Sequence, residues 1–229
     1  MTGPVKIAEG LSLVHGIPLI EEDGIGALTL CGYLKEVTAR FGPREAAVMR
    51  TAQNVQRWSY HALWSQSLAV ARALLACGVG KGTRVGILMT NRLEFLSGVF
   101  GTALAGGVAT TMSTFSTQAE LEILVKHSDC SVLLLERNVL KKDFAALLIE
   151  LEPRIATVAP GELHSLKFPF LRHLAMVDSM EATGAMEGWS SFIARGELVA
   201  PELVEASAAS VAPADPGVLF FSSGSTGKP

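Results

Sequence analysis

Arg84-Val85-Gly86-Ile87-Leu88-Met89-Thr90 opens the stretch that decides the fold. It runs on through Leu93–Ala105, turns at Gly106-Gly107, and continues as Val108–Ser113, Leu121–His127 and Ser131–Glu136. Three of these segments are short and almost wholly apolar, as strands buried on both faces must be. The segments between them repeat apolar residues with a helical period. Leu96, Val99, Phe100, Ala103 and Leu104 fall at i, i+3, i+4, i+7 and i+8, which is one helix face. Asn91 is expected to cap that helix. Thr117 and Glu120 have capping-box spacing before the next one. Strand, helix, strand, helix, strand predicts an α/β fold with a doubly wound, largely parallel sheet.

The flanks extend the pattern. A helix is expected over Leu30–Phe41, stopped by Gly42-Pro43. Ala46–Arg50 and Val55–Tyr60 read as a short antiparallel hairpin, near residues 46–60. His61–Cys77 reads as a helix with Ser59 as N-cap and Gly78 just past its end. On the carboxyl side a helix is expected near Leu140–Leu151, stopped by Pro153, then a strand at His173–Asp178 and a short helix at Trp189–Arg195. Glu197–Pro216, rich in Ala, Ser, Pro and Glu, reads as a surface connection. Residues 1–29 read as an irregular amino-terminal segment and 30–229 as one domain.

Composition narrows the function. The chain has 229 residues, 49% of them apolar and 18% charged, against about 25% charged in an average soluble protein. A disordered protein is excluded. A net charge of −3 leaves no basic footprint for nucleic acid. Cys31, Cys77 and Cys130 are widely spaced and odd in number, which points to reduced thiols and a cytoplasmic protein. No metal site is expected, because His15, His61, His127, His164 and His173 lack ligand spacing. The uncharged run Phe95–Ala119 is long enough to cross a bilayer, but its one-sided periodicity reads as a buried helix followed by a buried strand, not a transmembrane segment. Cys77 and the tryptophans Trp58 and Trp64 read as packing, and Lys141-Lys142 as a solvated face.

The last residues carry the chemistry. An apolar strand, Val218–Phe221, runs into Ser222-Ser223-Gly224-Ser225-Thr226-Gly227-Lys228-Pro229. Glycines let the backbone approach an anion, adjacent N–H groups can converge on it, and hydroxyls add donors. A loop outside the carboxyl end of a parallel strand is where open α/β sheets bind ligands. The other reading is a polar turn. The spacing is not that of a Walker loop, since only Ser225 and Thr226 separate Gly224 from Gly227 and Pro229 follows Lys228. It is not a Gly-x-Ser-x-Gly nucleophile elbow either.

That tail resembles the signature loop of the adenylate-forming (AMP-binding) superfamily. Five other stretches resemble the family in order: Trp58–Leu63, Leu75–Val85, Asn91-Arg92-Leu93-Glu94-Phe95, Ala105–Val108 and Thr117–Leu121. The likeness covers about residues 30–229. Phe170–Asp178 followed by Gly188–Phe192 is similar to the fatty-acyl-CoA synthetase branch, and the peptide-synthetase motif is missing from Ala105–Ser113.

The resemblance implies an AMP-forming ligase that activates a carboxylic acid of the fatty type with ATP and Mg2+ and passes it to coenzyme A. It implies that Ser222, Ser223, Gly224, Ser225, Thr226 and Gly227 grip the ATP β- and γ-phosphates, with Lys228 adding a screened charge. It implies no catalytic residue within the chain. The family's signature lysine follows the proline, so Lys228 does not inherit its role. A family member is over twice this length, so the resemblance reads the chain as an amino-terminal part, inactive alone, with its carboxyl-terminal portion as its partner. A non-catalytic nucleotide-binding module, an aryl-CoA ligase or an adenylation domain remain as alternatives.

Overall fold

The structure, a computed structural model, describes residues 28–51 and 54–221. The elements run in order α1 (Leu30–Phe41), β1 (Glu45–Arg50), β2 (Val55–Ser59), α2 (Tyr60–Ala76), β3 (Arg84–Leu88), α3 (Leu93–Leu104), β4 (Val108–Thr111) and α4 (Gln118–Ser128). Then come β5 (Val132–Leu135), β6 (Asn138–Val139), β7 (Lys142–Asp143), α5 (Phe144–Leu151), β8 (His173–Met176), β9 (Met186–Gly188), α6 (Trp189–Ala194), α7 (Pro201–Ala209) and β10 (Val218–Phe220).

Six strands form one sheet in the order β10-β4-β3-β5-β8-β9. Every neighbouring pair in it is parallel. The expected hairpin is present: β1 pairs with β2 antiparallel, Val48 facing Arg57.

The apolar strands bury alternate residues on two faces, which is why they show no polar alternation. Val85, Ile87, Ala109, Val132 and Leu134 pack with Leu34, Leu63, Val70, Leu74, Leu104 and Phe192 under α1, α2, α3 and α6. Leu88, Met112, Leu133, Leu135 and Leu174 pack on the other face with Leu121, Leu124, Phe144 and Leu148 from α4 and α5. Within Phe95–Ala119, α3 packs on one face of the sheet and β4 lies inside it, while the loop after β4 reaches the surface at Phe115. Among the described residues no helix is long and apolar enough to cross a membrane.

Several boundaries follow from side-chain caps. Ser59 accepts from Ala62 N at the start of α2, and Gly78 takes φ +80 just beyond its end. Thr117 and Glu120 form both halves of a capping box on α4.

Four expectations are corrected. Asn91 is not the cap of α3; Arg92 occupies that position, with no side-chain cap bond. The helix expected from Leu140 begins at Phe144, because Asn138–Asp143 folds as the two-stranded ribbon β6–β7 and Asp143 accepts from Ala146 N at 3.0 Å. Glu197–Pro216 is not all connection: Pro201 sits in the first turn of α7, where its missing N–H is harmless. Lys142 is not simply solvated, since its Nζ donates to the carbonyls of Thr114 at 3.2 Å and Ser116 at 2.7 Å.

Candidate functional site

A parallel sheet gathers all its strand carboxyl ends on one rim. From β3 the chain crosses to β4 on one side, then returns past β3 to β5 on the other. The direction of winding therefore reverses between β3 and β5, and the crevice outside that reversal is the usual ligand position in such folds.

Here the crevice holds a compact polar cluster. The backbone N and Oγ1 of Thr90, just past β3, donate to Glu136 Oε2 at 2.9 and 2.6 Å. Glu136 follows β5. Arg92 Nη1 lies 3.3 Å from Glu136 Oε1, and Arg92 Nε donates to Glu94 Oε2 at 2.8 Å. The side chains of Arg92 and Glu136 are only 15% and 16% exposed. Burial works against the Arg92 cation, but the bond and charge of Glu94, with Glu136 and Asp178, outweigh it and raise its pKa. One strand further, Asp178 accepts from the backbone N of Arg137 at 2.7 Å and of Asn138 at 3.2 Å.

These carboxylates are spoken for. Glu94 and Glu136 pair Arg92, and Asp178 caps two amides. Among the described residues no group of His, Cys, Asp and Glu could hold a metal ion.

β10 lies at the sheet edge, parallel to β4, with Val218 facing Ala109, Leu219 facing Thr110 and Phe220 facing Thr111. Its carboxyl end therefore shares the rim with β3 and β5. Two inter-strand steps, about 10 Å, separate it from the β3 end. The expected site residues Ser222, Ser223, Gly224, Ser225, Thr226, Gly227 and Lys228 lie outside the described residues.

At the opposite end of the sheet a latch fixes the approach to β10. Lys81 Nζ lies 2.8 Å from Asp215 Oδ2 and donates to the Ser210 carbonyl at 2.9 Å. Ala212 N donates to the same Asp215 oxygen at 2.7 Å. The Lys81 bond first, and the Ala212 N–H second, hold the Asp215 carboxyl below its usual range. A lowered carboxyl pKa adds stability above the unfolded-state pKa and loses it as pH falls through the folded one. Lys81→Met is therefore expected to flatten the acid limb of a stability–pH profile measured by urea unfolding. An unchanged acid limb would count against the latch.

The thiol of Cys77, half-buried against the α2 face, is pushed up to about 12 by burial, with Arg195 opposing weakly. It packs rather than reacts. The sequence reading missed Thr90, Arg92 and Glu136 as a unit; Arg92 and Glu136 meet only when β3 and β5 pair.

The chain resembles known proteins along most of its length. Residues 34–229 match the family described as AMP-binding enzyme. The chain is 28% identical over 226 residues to the acyl-CoA ligase SID4 of Ajellomyces capsulatus, covering 98% of this chain and 36% of that protein. It is 24% identical over 218 residues to the mitochondrial medium-chain acyl-CoA ligase ACSF2 of Danio rerio, covering 95% and 35%. It thus spans about a third of the length of the curated relatives it matches. Among solved structures, a fatty acyl CoA synthetase of Mycobacterium tuberculosis superposes with a TM-score of 0.57 at 18% identity, covering 85% of this chain and 32% of that one. That likeness is one of fold, and it includes the parallel six-stranded sheet. With the family match spanning 196 of the chain's 229 residues (34 to 229), the chain belongs to the AMP-binding enzyme family.

Proposed function

We propose that the chain is the amino-terminal part of an ATP-dependent acyl-CoA ligase acting on a carboxylic acid of the fatty type. In the first step a carboxylate oxygen attacks the α-phosphorus of ATP, and the bond to pyrophosphate breaks. In the second the sulfur of coenzyme A attacks the acyl carbon, and the bond to AMP breaks, with the thiol proton leaving to solvent. Displacement of this kind is accelerated mainly by positioning and charge stabilisation.

Ser222, Ser223, Gly224, Ser225, Thr226 and Gly227 hold the β- and γ-phosphates in this reading, through backbone N–H and hydroxyl donors. Lys228 adds a screened positive charge. Mg2+ arrives with the nucleotide, and the rim carboxylates, already paired, are not its ligands. No residue of this chain is assigned as a general base. The observation that supports the reading is the parallel pairing of β10 with β4, which ends at Phe220, two residues before Ser222.

ATP–pyrophosphate exchange with fatty acids tests it. The 229-residue chain alone is expected to give no exchange, and joining it in frame to the downstream region of a relative is expected to restore it. In that active form Gly224→Val is expected to weaken ATP binding by about tenfold or more, because a side chain there blocks backbone approach to phosphate. Exchange by the isolated chain would overturn its assignment as a part. Full ATP affinity in Gly224→Val would overturn the phosphate role.

A further inference from the structure

A second feature of the rim stands apart from the nucleotide reading. The loop after β4 and the tip of the β6–β7 ribbon bring two large apolar side chains to one spot. Phe115 is 82% exposed and Leu140 is 89% exposed. They line a shared concavity of about 390 Å³ with Thr114, Val139, Lys141 and Lys142. None of these lining residues carries a carboxylate.

Leu140 is held there against its own preference. Its φ is +56, in the left-handed region. Bulky side chains rarely adopt it, and a two-residue ribbon turn favours glycine at the first position. Glycine would close this turn with less strain. A leucine at that position, pointing to solvent, gains nothing from the fold. Such an outlier points to a task for the side chain.

The surroundings say what the task requires. Lys142 is committed to the Thr114 and Ser116 carbonyls, so it ties the two loops into one rigid tip. Lys141, beside Leu140, is exposed. The chain as a whole carries −3, and although Glu120 and Asp143 flank Lys142, the concavity itself presents Lys141 and Lys142 with no acidic side chain, which favours approach to a negative surface. Two protruding apolar groups with an adjacent ammonium suit a lipid–water boundary: the side chains enter the acyl layer and the lysine stays with the headgroups. A protein interface is more commonly depleted in lysine, with arginine as its cation.

We propose that Phe115, Leu140 and Lys141 form a docking tip for an anionic lipid surface. This does not depend on the ligase reading. The test is co-sedimentation of the chain with phosphatidylcholine vesicles prepared with and without phosphatidylglycerol. Binding is expected to the anionic vesicles and to weaken with added salt. Leu140→Gly and Phe115→Ser are each expected to lower the partition coefficient by about tenfold, the effect of withdrawing one large apolar side chain from lipid. Lys141→Glu is expected to abolish the preference for anionic vesicles. Leu140→Gly relieves the turn, so its melting temperature should equal or exceed that of the unsubstituted chain, which separates loss of docking from loss of fold. No vesicle binding by the unsubstituted chain overturns the proposal. So does binding indifferent to these substitutions, or to lipid charge. Self-association that the same substitutions abolish, without vesicle binding, would assign the tip to a second copy instead and overturn it equally.

Discussion

Replacing Gly101 by valine is expected to destabilise the chain by about 2–3 kcal/mol, the range for overpacking a dense interior. A Cβ at this position would lie 2.7 Å from Val70 Cβ and 2.9 Å from the Ser67 carbonyl. Those atoms belong to the facing surface of α2, and Val70 is 1% exposed. Two effects compete. Any side chain in place of glycine favours the helix, by about 1 kcal/mol for alanine and less for valine. The clash acts on backbone and a β-branched side chain, neither of which can swing aside, so α2 and α3 must part. The clash wins for valine. Gly101→Ala tests the same balance with the smallest side chain and is expected to cost about 1 kcal/mol net. Urea unfolding measures both. A stabilising alanine would mean that α2 and α3 separate freely, against the packing described.

Glu136→Ala is expected to cost about 2–3 kcal/mol in the same assay. One carboxylate satisfies the Thr90 N–H, the Thr90 hydroxyl and the Arg92 guanidinium. Deleting it leaves a mostly buried cation with half its compensation and strands an amide. Breaking a buried pair from one side typically costs 3–5 kcal/mol. The partial exposure here, and the surviving Glu94 bond, bring that down. Glu136→Gln keeps an acceptor for Thr90 and loses only the charge, so about half the effect is expected. If alanine and glutamine cost the same, the charge on Arg92 carries the whole effect. If neither costs more than about 0.5 kcal/mol, the pair behaves as an ordinary surface bridge.

Much of the fold can be read before any coordinates are consulted, for a physical reason. Strands buried on both faces have to be continuously apolar, and Val85–Leu88 and Val132–Leu135 are. Caps that act through their own neighbours, such as Ser59 and the Thr117–Glu120 pair, also depend only on nearby residues. The misses share the opposite character. β9 is three residues long and exists because β8 lies beside it. The β6–β7 ribbon has no glycine or asparagine at its turn, because Leu140 takes the strained conformation instead. α7 carries a connector's composition, and only Pro201 signalled its start. Thr90, Arg92 and Glu136 converge through pairing of strands far apart in sequence, so no local motif announces them. Ser222–Lys228 lie outside the described residues, and their proposed phosphate role rests on the sequence motif and on the strand that precedes it.

That strand has a mechanical consequence. β10 is held by a three-rung ladder on β4 alone among the described residues. Val218 contributes to the packing beneath α2, and Phe221 to the opposite face. Sliding by one residue would invert both and carry Ser222 about 3.3 Å along the sheet. The register of this edge strand is thus set by two modest apolar grips, which act as the detent that keeps the chain from slipping a notch.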